Sequence, residues 1–151
     1  MSTENTINEA ANPACFLAAV MPSCLHMSLK PKWFEMTKAG IKTEDYREIN
    51  LFWFKRLIQD YKSIAFSHGG YWGFMNDKQV LEYVTSNNPK DNFLFKEFEI
   101  NIMTLGYPKS TDTDRIIKLK HKGIEIRTGN PEWGAEPNKL YFVIMHGAIL
   151  A

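Results

Sequence analysis

The chain has 151 residues, 44% of them hydrophobic and 23% charged, which fits a single domain with a buried core and excludes disordered, collagen-like and low-complexity classes. Its 18 Lys and Arg against 17 Asp and Glu leave a formal net charge of +1, so any nucleic-acid contact must come from a local patch. Cys15 and Cys24 are too few to staple a secreted scaffold, and no stretch approaches the roughly 18 apolar residues of a membrane span; the expected setting is a reducing cytoplasm, with no membrane partner.

Residues 1–24 read as an N-terminal extension: a polar tail over 1–13, then a short apolar helix or strand, ACFLAAVM, over 14–21. No Lys or Arg precedes Lys30, so the basic start of a secretion signal is missing. In LHMSLK (25–30), Leu25, Met27 and Leu29 alternate with His26, Ser28 and Lys30, the period of a strand with one buried face. Pro31 opens a helix that runs through KWFEMTKAG to a glycine stop at Gly40. KTEDYREI (42–49) is charged and extended. Asn50 caps LFWFKRLIQDY, with Leu51, Phe54, Leu57 or Ile58, and Tyr61 on one side and Lys55, Arg56, Gln59 and Asp60 on the other.

SIAF (63–66) is predicted as a short strand and SHGGYWG (67–73) as a glycine-rich loop. NDKQVLEYVTSNN (76–88) is a helix capped by Asn76 or Asp77. FKEFEINIMTLGY (95–107) reads as a strand with Phe98, Ile100 and Ile102 on one parity, followed by the polar loop PKSTDTD (108–114). In RIIKLKHKGIEIRTG (115–129), Ile117 and Leu119 share one parity and Ile124 and Ile126 the other. One extra residue near Lys122–Gly123 brings both pairs to the core, so a β-bulge is predicted there. NPEWGAEPN (130–138) is a rigid loop, and KLYFVIMHGAIL (139–150) closes the domain as a buried strand. The order is α+β rather than alternating βαβ, and the late strands suffice to curl into a small barrel.

The densest chemistry lies in Gly40-Ile41-Lys42-Thr43-Glu44-Asp45-Tyr46-Arg47. Lys42 and Arg47 can hold phosphate, Arg bidentately and Lys as a point charge. Alternatively, a desolvated Lys42 acts as a base while Asp45 or Glu44 orients a substrate or a water. The bland alternative is a solvated, charged edge strand. Strict alternation puts Lys42, Glu44 and Tyr46 on one face and Thr43, Asp45 and Arg47 on the other, so Lys42 and Asp45 converge only if the backbone bends.

A second group is the basic strand carrying Arg115, Lys118, Lys120, Lys122 and Arg127 against Glu125 alone, with Lys118 and Lys120 on its outer face. Trp33, beside Lys32, and Tyr71, Trp72 and Trp133 are loop or helix-edge aromatics. Cations for phosphates and rings for bases are the combination that holds single-stranded nucleic acid. The same lysines equally keep an edge strand soluble, and Trp33 and Trp133 equally serve as core. His68, beside glycines, is either a general acid or base or a loop residue without a role. His121 and His146 fall in strand patterns and read as structural. Cys15, Cys24 and His26 lack paired metal-ligand spacing, and there is no phosphate loop or Gly-x-Ser-x-Gly, so no metal and no cofactor are expected.

Four pieces, LHMSLKPKWFEMTKAG, GIKTEDYREI, GNPEWGAEP and YFVIMHGAIL, make the stretch from Leu25 to Leu150 resemble the ASCH domain, a branch of the PUA-like superfamily, in its short stand-alone phage and bacterial form. The family signature Gly-x-Lys-x-x-Glu-x-Arg is met at Gly40, Lys42 and Arg47, with Asp45 in place of Glu. The family's Phe-Arg-Asn-Gly-Tyr stretch appears here as Phe66-Ser67-His68-Gly69-Gly70-Tyr71. The resemblance implies an α+β, PUA-like mixed β-barrel with flanking helices over 25–150, with a divergent insertion around 74–110.

It also implies a cleft that binds RNA or a modified nucleotide. Lys42, Asp45 and Glu44 are then the candidate reactive groups. Arg47, Tyr46, Lys32, Trp33, His68, Tyr71, Trp72, Lys118, Lys120, Arg127 and Trp133 are the candidate ligand contacts. One subgroup of the family hydrolyses the amide of acylated cytidine and another member cleaves single-stranded RNA, both through the motif lysine. The first pairs that lysine with a threonine three residues on, where this chain has Asp45. The expected function is therefore RNA or nucleotide binding. The alternatives are a hydrolase with Lys42 as base, acting on a modified nucleoside or single-stranded RNA, and a phage-type regulatory interaction protein.

Overall fold

The computed structural model describes residues 22–68, 75–86 and 94–150. The expectations for residues 1–21, and for 69–73 with Tyr71 and Trp72, lie outside the described residues.

The alternation in LHMSLK becomes β1 (Cys24–Leu29), which buries Leu25, Met27 and Leu29 and exposes His26 and Ser28. Helix α1 (Pro31–Lys38) starts with proline in its first turn and buries Phe34 and Thr37. It ends in a Schellman turn: the Gly40 N–H donates to the Thr37 carbonyl at 3.1 Å and the Ile41 N–H to that of Met36 at 3.0 Å. Gly40 has φ +76°, a left-handed conformation that glycine adopts without strain.

Strand β2 (Glu44–Arg47) leads into α2 (Leu51–Leu57), where the Asn50 side chain accepts from the Trp53 N–H at 3.0 Å. Helix α3 (Tyr61–His68) corrects the strand expected at SIAF and places the His68 backbone at a helix end rather than in a loop. The Ile64 N–H donates to the Asp60 carbonyl at 3.2 Å, and the Ser67 hydroxyl to the Ser63 carbonyl at 2.6 Å. A four-residue apolar run is too short for its periodicity to separate a helix from a strand. Helix α4 (Asp77–Ser86) begins with a reciprocal box: Asn76 Oδ1 accepts from the Gln79 N–H and Gln79 Oε1 from the Asn76 N–H, each at 2.8 Å.

In β3 (Ile100–Leu105) the buried parity is Asn101 and Met103, while Ile100 and Ile102 are half-buried; the parity that looked apolar in the sequence is not the deeper one. The reason is a buried polar residue. Asn101 is fully enclosed because its amide is hydrogen-bonded to two imidazoles and a carbonyl, so its polarity does not mark an outward face.

Strand β4 (Ile116–Thr128) slips register against β5 (Leu140–Ile149) between Leu119 and His121 and again between His121 and Gly123, at the predicted bulge. The slip brings Ile117 and Leu119 into the core and packs Ile124 and Ile126 against it.

The five strands form one mixed, curled sheet in the order β1-β3-β4-β5-β2, a half-barrel in an α+β fold. β1 runs parallel to β3 and every other pair is antiparallel. The main core joins β1, β3, β4 and β5 to Phe34 of α1, Trp53, Phe54 and Leu57 of α2, and Val80 and Val84 of α4. A smaller cluster of Ala135, Tyr141 and Val143, with Tyr46 packed against it, anchors the loop after β4. Among the described residues no helix is long and apolar enough to cross a membrane.

Candidate functional site

Lys42 is placed by the turn that ends α1. Its N–H donates to the Met36 carbonyl at 3.1 Å, beside that of Ile41, and the β2 ladder begins only at Glu44. The strand alternation that would separate Lys42 from Asp45 therefore does not apply. The Lys42 side chain turns inward, is 2% exposed, and donates from Nζ to Asp45 Oδ1 at 3.0 Å and to the Glu44 carbonyl. Both partners are acceptors, so Nζ serves as a donor, and an ammonium has three protons to give.

Asp45 Oδ2 accepts from Arg47 Nε at 2.6 Å. The buried carboxylate is thus held by a cation at each oxygen. Burial alone would raise the Asp45 carboxyl, but the charges of Arg47 and Lys42 outweigh it and hold it below the usual carboxylate range. Arg47 also donates from Nη2 to the Ser28 carbonyl at 3.0 Å and stands over the Trp53 ring at 4.8 Å.

Glu44 and Tyr46 take the opposite parity from Asp45 and Arg47 and knit β2 to the end of β4. Tyr46 donates its hydroxyl to Glu44 Oε2 at 2.8 Å and accepts from the Asn130 N–H at 2.9 Å. Arg127 pairs with Glu44 and, through Nε, with Glu125 at 2.9 Å. Burial and the Glu44 carboxylate push the Tyr46 phenol up to about 12, so it remains a neutral donor. Against the effect of burial, Arg127 and Tyr46 pull the Glu44 carboxyl down. Two candidate groups, Glu44 and Arg127, therefore satisfy each other.

Trp33, half-buried on α1, meets the loop after β4 at Gly134. Gly134 has φ +95°, and a Cβ there would lie 2.8 Å from Trp33 Cζ2. A short 3₁₀ turn (Pro131–Trp133), capped by Asn130 accepting from the Glu132 N–H, sets Trp133 on the same rim. Between these walls lies a hollow of about 210 Å³, lined by Ser28, Leu29, Lys30, Trp33, Lys42, Asp45, Tyr46, Arg47, Trp133 and Gly134. Among the described residues its lining holds three cations against one carboxylate. Lys30 and Ser28 were not singled out in the sequence; their signal was the outward parity of β1 leading straight into Pro31.

Other candidates lie elsewhere. Lys32 is exposed and stands over the Trp33 ring at 4.7 Å, outside the hollow's lining. Lys118 and Lys120 are exposed on the outer face of β4 and do not line the hollow. No group of His, Cys, Asp and Glu among the described residues is arranged to hold a metal ion.

A polar chain runs under the sheet behind Asp45. Asn101 Nδ2 donates to the Met145 carbonyl at 3.3 Å and to His146 Nδ1 at 2.8 Å, and Asn101 Oδ1 lies 2.8 Å from His121 Nδ1. This orientation makes His146 Nδ1 an acceptor and leaves its proton on Nε2, a buried atom with no hydrogen-bond partner among the described residues. Burial pushes the His146 imidazole down to about 4, so it is neutral at physiological pH.

No protein-family model, curated protein or solved structure matches the chain.

Proposed function

We propose that the chain is an ASCH-type, PUA-like domain that binds single-stranded RNA or a modified nucleotide in the hollow between α1, β2 and the loop after β4. One observation carries this reading: Lys42 and Arg47, joined through Asp45, line the same hollow between Trp33 and Trp133. The cluster has excess positive charge in a partly water-excluded site, where attraction for a phosphate is stronger than at an open surface. Two indole rings at the rim supply faces for a base. Lys42, tied to two acceptors, takes the part of a hydrogen-bond donor, which favours binding over a role as a base.

The test is a low-salt titration of nucleotides, acylated cytidines and short single-stranded RNAs against the wild type, Lys42→Ala, Lys30→Glu and Trp133→Ala. The two rim variants keep the buried ion cluster intact and are expected to weaken binding by about tenfold or more. Wild-type protein that binds none of these ligands overturns the reading. Recovery of the ligands intact separates binding from hydrolysis; cleavage lost in Lys42→Ala would establish the hydrolase instead.

A further inference from the structure

Beside the hollow lies a larger open groove of about 470 Å³, which shares Ser28 and Arg47 with it. Four elements build it: His26–Ser28 of β1, Arg47 of β2, Phe52, Trp53 and Arg56 of α2, and the end of β3 with the turn after it that carries Tyr107. Among the described residues two guanidiniums line it and no carboxylate does. Arg56 stands over the Phe52 ring at 5.4 Å and over Trp53 at 4.9 Å. It donates from Nη2 to the His26 carbonyl at 2.8 Å and pairs with no carboxylate among the described residues. A guanidinium has five N–H donors, so the described residues leave most of this one's capacity unused.

Two aromatic side chains at this groove remain in solvent. Phe52 is 59% exposed although its neighbours Trp53 and Phe54 are buried, and Tyr107 is 97% exposed. Tyr107 does not hang on a slack loop. Gly106 before it takes φ +68°, the Thr104 hydroxyl donates to the Gly106 carbonyl at 2.9 Å, and Arg115 Nη2 donates to the Leu105 carbonyl at 2.7 Å. A single exposed ring needs no explanation. Two of them beside Arg47, whose Nε is held by Asp45, and Arg56, which has no carboxylate partner among the described residues, form a stacking and phosphate-binding surface.

We infer that this groove holds the nucleotide adjacent to the one in the Lys42 hollow, so the ligand is a single-stranded RNA of two nucleotides or more; this rests on the binding reading given above. The linking phosphate sits at Arg47, the side chain common to both cavities. Arg56 takes the next phosphate, and the second base stacks on Tyr107.

The test compares adenosine monophosphate with oligoadenylates of two and four nucleotides by calorimetry, on the wild type, Tyr107→Ala and Arg56→Gln. Both substitutions are at side chains outside the core, and circular dichroism confirms the fold. Lengthening the ligand from one to two nucleotides is expected to tighten wild-type binding by about tenfold or more. Each variant loses most of that gain while holding the monophosphate as the wild type does. Monophosphate binding with no gain on lengthening, or a gain kept in both variants, overturns this inference and leaves the hollow standing. Failure of the wild type to bind any of the three ligands overturns this inference, and the reading of the hollow falls with it only if acylated cytidines also fail to bind.

Discussion

Arg47 on β2 donates from Nη2 to the carbonyl of Ser28 on β1 at 3.0 Å, joining the two free edges of the half-barrel. The same guanidinium holds Asp45 through Nε. Arg47→Ala opens the seam and leaves the buried Asp45 carboxylate with Lys42 as its one paired cation among the described residues. The expected cost is about 2–3 kcal/mol, within the range for removing one partner of a buried charge. Equilibrium denaturation in urea measures it. Arg47→Lys is expected to recover only part, because a point charge cannot serve both acceptors with the geometry of a planar fork.

His146 sets an acid-sensitive window. Its folded-state value, about 4, lies below the ordinary histidine value near 6.5. As pH falls from 6.5 toward 4, the unfolded chain takes up the proton and the folded chain does not, so stability declines across that interval and levels off below it. The expected decline is about 3 kcal/mol. Asp45 acts lower: its value is depressed, so its contribution is complete above the ordinary aspartate value near 3.9 and fades only as pH falls below it. His146→Gln keeps a polar partner for Asn101 and should reduce the slope of the stability profile between pH 4 and 6.5, leaving the part that comes from His121, whose imidazole burial also pushes down. An unchanged profile would remove His146 as its source.

Gly134→Ala tests the rim. The substitution places a side chain at φ +95° and brings its Cβ against the Trp33 ring. The left-handed conformation alone costs about 1–2 kcal/mol. Trp33 must also move, so a change in tryptophan fluorescence and weaker nucleotide binding are expected together. Loss of stability with unchanged fluorescence would show that the ring does not depend on this contact.

Lys118→Glu with Lys120→Glu reverses two charges that stand outside the hollow. Their influence is expected to be a field effect: RNA binding weakens at low salt, and the difference from wild type shrinks as the Debye length falls to about 3 Å at 1 M salt. A loss that persists in high salt would mean that these lysines touch the ligand directly.

The strands with one wet face were legible in the sequence because solvent imposes the period-two pattern on them, as in β1. The bulge in β4 was legible because its two apolar pairs change parity within one run. What hid was decided by tertiary contact. SIAF carries no period of its own, and its helix is set by what it packs against. Asn101 reads as an outward residue until His121 and His146 are brought to either side of it. The approach of Lys42 to Asp45 was invisible to strand alternation, since the bend belongs to the preceding helix. Phe52 and Tyr107 carried a faint signal: Phe52 stands off the apolar stripe of its helix, and Tyr107 follows a glycine at a strand end.

That bend has a consequence for how the site tolerates change. The carbonyl of Met36 accepts from the backbone of both Ile41 and Lys42, so no hinge separates the helix from the ammonium-bearing residue. Adding or deleting one residue between the buried Phe34 and Met36 would swing that carbonyl by about 100° around the helix axis. Lys42 would then point away from its carboxylate although every residue of the hollow remained in the chain. The length of α1 indexes the cation, and an indel there would silence the site more surely than most substitutions inside it.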